Sequence, residues 1–123
     1  MTDKRVVLVT CSSEEEASRI ARTLVVERLA ACVNILESPV RSVYRWKGRV
    51  ETAMEHLLVI KTRRARLAAL EAAVKRLHSY DTPEIIALPV AQGSRRYLAW
   101  LDESVRPEKK AGPRRPRARR VHS

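Results

Sequence analysis

The run Arg5-Val6-Val7-Leu8-Val9-Thr10-Cys11 narrows the folds open to this chain more than any other feature. It is of strand length and mostly β-branched, and it lacks polar alternation, so it reads as a strand covered on both faces. Ser12-Ser13 stops it. Ser13 followed by Glu16 forms a capping box that opens a helix, and Glu14 and Glu15 add favourable charge to the same turn. Ala17, Ile20, Ala21, Leu24 and Leu29 then recur at helical spacing, which predicts a helix over residues 14–31.

The same alternation continues along the chain. Cys32-Val33-Asn34-Ile35-Leu36 begins a second strand, which Glu37-Ser38-Pro39 interrupts because proline cannot donate to a ladder. Pairing resumes at Val40 and runs through Tyr44 and Trp46 to a Lys47-Gly48 turn. The return strand ends in the apolar run 57–61. Thr62 is placed to cap a second helix, where Leu67, Leu70, Val74 and Leu77 repeat up to His78. Pro83 forces Thr82 toward an extended conformation. Residues 84–90 then form a last strand, which Pro89 marks as an edge, and residues 95–103 a short helix anchored by Leu98 and Leu101. This order predicts an α+β, ferredoxin-like βαββαβ arrangement: an antiparallel sheet with two main helices on one face and an extra C-terminal helix.

At 123 residues the chain suits one domain. Its net charge of +11 suggests a nucleic-acid partner until the charge is located. Eight of the 25 Lys and Arg residues, against one of the 14 acids, fall from Val105 onward, among three prolines. The expected organisation is therefore a domain over 1–104 and a basic, disordered tail over 105–123. The tail is the one place where weak electrostatic contact with nucleic acid is expected. No window reaches the length of apolar sequence that a membrane span needs, and the first residues lack a signal-peptide core, so a cytoplasmic location is expected. In that compartment Cys11 and Cys32 are expected to be free thiols.

Right-handed crossovers bring the end of the first strand, the hairpin tip and the segment after the second helix to one end of the sheet. Thr10, Cys11, Trp46, Tyr80 and Glu84 meet there with His78. Cys11 reads either as a small buried apolar residue or as a soft ligand, and His78 either as a helix C-terminal cap or as a borderline ligand. As ligands they suit copper or zinc, completed by Glu84, water or a second subunit. Enzyme signatures are missing: there is no phosphate loop, metalloprotease helix or nucleophile elbow, and no cofactor is required. A basic cluster of Lys61, Arg63, Arg64 and Arg66 offers either a solvated face or an anion site. RNA recognition through the sheet is disfavoured, because none of the five aromatic residues lies on the first strand or on the return strand.

Several of these segments together resemble the CutA divalent-cation tolerance family. They are Glu27-Arg28-Leu29-Ala30-Ala31-Cys32-Val33-Asn34, Val43-Tyr44-Arg45-Trp46-Lys47-Gly48, His78-Ser79-Tyr80-Asp81-Thr82-Pro83-Glu84-Ile85-Ile86 and Tyr97-Leu98-Ala99-Trp100-Leu101. The resemblance covers about residues 5–104. It implies a homotrimer joined through edge strands, a role in the response to divalent metal, copper in particular, and no enzyme activity. It also implies that Trp46, Tyr80 and Glu84 surround an intersubunit cleft. The copper ligands proposed for one bacterial relative fall by position on Val9, Leu77 and His78, so only His78 matches. Cys11 substitutes only if the strand end is displaced. The alternative implied by the shared trimer architecture is a PII-like signalling or partner-binding module without a metal role.

Overall fold

The structure, a computed structural model, describes residues 1–107. Its elements are β1 (Lys4–Cys11), α1 (Glu14–Val26), β2 (Cys32–Ile35), β3 (Val40–Trp46), β4 (Arg49–Arg63), α2 (Leu67–Leu77), β5 (Ile85–Pro89) and α3 (Arg95–Ser104). The sheet order is β2-β4-β1-β5, with β3 also paired to β4, and every pairing is antiparallel. This is the ferredoxin-like arrangement.

β4, at 15 residues, is the spine of the sheet. Its first half pairs with β3 and its second half with β2, so the two short strands form one broken edge around Pro39. The opposite side of its second half pairs with β1. The β3–β4 turn places both Lys47 and Gly48 at positive φ, 52° and 79°, as a tight hairpin requires. β5 closes the other edge, and its Pro89 sits opposite Arg5 where no ladder neighbour lies beyond it.

Register and alternation divide the sheet into two faces. Val7, Val9, Cys11, Leu58 and Ile60 are completely buried against Ile20, Leu24, Leu70 and Val74 of α1 and α2. On the other face Val6, Leu8, Leu57 and Val59 are only half-buried, while Ile86 and Leu88 of β5 are 47% and 44% exposed. The first strand is apolar on both sides, but one chain covers only one of them.

Three sequence expectations need correction. α1 stops at Val26 rather than residue 31, because Arg28 takes φ 59° and closes a Schellman motif. In it the Leu29 amide donates to the Leu24 carbonyl at 2.8 Å and the Arg28 amide to that of Val25 at 3.1 Å. The motif normally carries glycine at the Arg28 position, so the usual stop signal is missing. Thr62 does not cap α2. It lies inside β4, completely buried, and its hydroxyl donates to the Leu29 carbonyl at 2.7 Å. α2 is entered instead through a 3₁₀ turn, Arg64–Arg66, without a side-chain cap. Finally, Val105 is completely buried, and Arg106 donates its amide to the Glu103 carbonyl, so the packed body extends past residue 104. Most of the predicted basic tail, residues 108–123, lies outside the described residues.

Candidate functional site

The end of β1, the first turn of α1 and the segment after α2 meet in a buried polar cluster. Cys11, Glu16 and His78 each present a ligand-type atom, and these atoms lie within 4.8 Å of one another. Cys11 reaches this cluster without any displacement of the strand. Its pairing with β4 stays regular to the Cys11–His56 position, and it points to the same face as Val9 one alternation earlier. Cys11 thus lies beside His78 with the strand end in regular register.

Glu16 was not singled out among the candidate ligands. It read as half of a capping box, and Ser13 does accept its amide, at 3.1 Å. Its carboxylate, however, does not return to the cap. Instead it accepts the Ser79 amide and hydroxyl, both at 2.9 Å, and the Ser12 hydroxyl at 3.2 Å, and lies 3.1 Å from His78 Nδ1. Burial pushes the Glu16 carboxyl upward. The Ser79 hydrogen bonds and the nearby imidazole outweigh it and hold the group below its ordinary value. The sequence signal for this role was a carboxylate in the first helical turn directly after the strand end.

His78 has a fully buried side chain. Its Nε2 lies 2.7 Å from the Thr10 carbonyl, and its Nδ1 accepts the Tyr80 amide at 3.0 Å. Nε2, with only an acceptor in reach, donates to Thr10, while Nδ1 faces both the Tyr80 amide and the Glu16 carboxylate. Burial, followed by the negative charge of Glu16 and Glu55, pushes the Cys11 thiol up to about 12.

The donor set of sulfur, imidazole nitrogen and carboxylate suits a borderline divalent ion such as zinc or copper. Binding there requires the thiol to lose its proton and His78 to give up a backbone partner. The residues fit such an ion in kind and number, but as a weak site.

In front of this cluster opens a cleft of about 630 Å³. Thr10, Ser42, Tyr44, Trp46 and Glu55 line it from the sheet and hairpin. Tyr80, Asp81 and Glu84 line it from the segment after α2. The five residues singled out from the sequence thus divide into two sets. Trp46, Tyr80 and Glu84 face the cleft, whereas Cys11 and His78 lie behind Thr10 and Tyr80, with the His78 ring tilted against that of Tyr80 at 4.8 Å. The Tyr80 hydroxyl donates to Glu55 at 2.9 Å. Burial and this bond both raise the Tyr80 phenol above its ordinary value.

Three of the four side chains of the basic cluster are used within the chain. Arg63 pairs with Asp3 and Asp102, each at 3.2 Å, Lys61 bonds Asn34, and Arg66 donates to the Arg28 carbonyl. No helix of the described residues is long and apolar enough to cross a membrane.

Comparison with known proteins places this geometry. Residues 5–104 match the family described as CutA1 divalent ion tolerance protein. The divalent-cation tolerance protein CutA of Thermus thermophilus is 52% identical over 101 residues, covering 82% of this chain and 97% of that protein. Its solved structure superposes with a TM-score of 0.80, over 82% of this chain and 97% of that one. The chloroplastic protein CutA 1 of Oryza sativa is 50% identical over 82% of this chain, which spans only 56% of that longer relative. With family match, sequence identity and fold in agreement, the chain belongs to the CutA1 divalent ion tolerance family.

Proposed function

We propose that the protein is a non-enzymatic, cytoplasmic homotrimer that takes part in divalent-cation tolerance by binding copper or zinc weakly through Cys11, Glu16 and His78, at the base of an intersubunit cleft. The observation that carries this reading is the convergence of those three side chains within 4.8 Å directly behind an open cleft. The trimer is supported by the apolar sheet face that one chain leaves uncovered, with Ile86 and Leu88 nearly half exposed. A non-enzymatic role is supported by Cys11: a completely buried thiol pushed up to about 12 has almost no thiolate with which to attack a substrate.

Calorimetric titration of copper and of zinc into the protein tests the reading. Saturable uptake of a whole number of ions per trimer, weakened by Cys11→Ser and His78→Gln and stronger as pH rises and the thiol proton leaves, is the expected result. Uptake indifferent to both substitutions would remove metal from this cluster.

A second reading, a PII-like partner-binding module without a metal role, is favoured by a different observation. Both nitrogens of His78 and both oxygens of Glu16 already hold hydrogen-bond partners, as a purely structural cluster would. Under it, the same titration shows no saturable uptake, and the cleft rather than the cluster meets the partner.

A further inference from the structure

Glu55 faces the cleft almost completely buried, at 6% exposure, and its carboxylate has one hydrogen-bond partner among the described residues, the neutral phenol of Tyr80. No Lys, Arg or His of the described residues forms a salt bridge with it. A buried carboxylate with no positive partner is a costly arrangement unless a cation arrives from outside. The walls around it are aromatic: Tyr44 and Trp46 from β3, on the same face by alternation, and Tyr80 opposite. Asp81 and Glu84 add negative charge at the rim. Lys47 lies 5.9 Å from the centre of the Trp46 ring, but it is outside the cleft lining.

Two observations separate this place from an inorganic ion site. The cleft carboxylates do not converge: among the described residues the one ligand-type cluster is Cys11, Glu16 and His78. A volume of about 630 Å³ also far exceeds a bare ion and lies in the range of small-molecule pockets. Spread negative charge, aromatic faces and a carboxylate with lone pairs to spare suit a cation that carries both N–H donors and an apolar body.

We propose that this cleft binds a small organic amine in its ammonium form, with Glu55 as the counter-charge and Trp46, Tyr44 and Tyr80 around the cationic end. The proposal does not rest on metal uptake by the cluster behind it.

The test is a titration of the intact protein with n-butylammonium chloride in the presence of a chelator, with 1-butanol as the neutral control. Trp46 fluorescence, read in a Trp100→Phe background, and calorimetry both report binding. Saturation by butylammonium but not by butanol is expected, and Glu55→Gln weakens it by at least about tenfold, equivalent to about 1.4 kcal/mol. Glu55→Gln keeps the shape of the side chain and an acceptor for Tyr80. Trp46→Leu, at a residue 46% exposed, weakens binding independently with little demand on the fold. Failure to saturate, equal binding of butanol, or one-for-one displacement by magnesium would each overturn the proposal. They would leave, respectively, a carboxylate neutralised by a neighbouring copy, a merely apolar cleft, or an inorganic cation site.

Discussion

Glu16 joins two structures that would otherwise only touch. One carboxylate gathers the start of α1, through Ser12, and the turn after α2, through Ser79, beside the His78 ring. Because its folded pKa lies below its ordinary value of 4.5, the stability it adds is present above that value and is lost as pH falls through the folded pKa. Glu16→Gln should therefore lower stability at neutral pH by about 1–3 kcal/mol, the range for losing charged hydrogen bonds. The gap from wild type should narrow in acid, and urea unfolding as a function of pH measures both. His78 and Cys11 were visible in the sequence because their chemistry is unusual wherever they stand. Glu16 was hidden by a sufficient local explanation: a glutamate three residues after a serine already had a role as a cap. Glu55 was hidden as one polar residue in an alternating strand, since its burial depends on Tyr80, 25 residues away in sequence.

Among the elements, strands and their order were legible because apolar runs and proline breaks are local signals. The helix ends were not. Leu29 continues the apolar period of α1, yet its amide turns back to Leu24, and the left-handed Arg28 that makes this turn carries no glycine signature. Arg28 holds its conformation partly through its guanidinium, which donates to the carbonyls of Glu103 and Arg106 and ties α1 to the end of α3. Arg28→Ala and Arg28→Gly both remove these bonds, but only alanine retains the left-handed strain. The glycine variant should be the more stable of the two by about 1 kcal/mol in thermal or urea unfolding. Thr62 shows the opposite error. A threonine before a basic stretch resembles a cap, but β1 continues pairing through Lys4–Arg63 and keeps the chain extended past it. The entry to α2 was decided by a partner strand more than fifty residues earlier, which no window around Thr62 contains.

At the scale of the whole molecule, the half-covered sheet is the clearest sign of assembly. Replacing Ile86 or Leu88 with lysine changes an exposed side chain in the single chain, so folding should survive. If the proposed trimer covers this face, the same change buries a charge with no partner. Light scattering should then report a shift from trimer toward monomer, while circular dichroism retains the folded spectrum.

The position of β1 in the sheet also bears on how the protein is made. Both of its neighbours come later in the chain: Lys4 waits for Arg63, and Arg5 for Pro89. During synthesis this apolar strand emerges before either of its partners and stays unpaired while most of the domain is translated. Closing such distant pairs makes folding slow compared with a protein of local contacts. The nascent chain is consequently most prone to aggregate before β5 emerges, and conditions that stall translation between α1 and β5 expose the same surface that folding later seals.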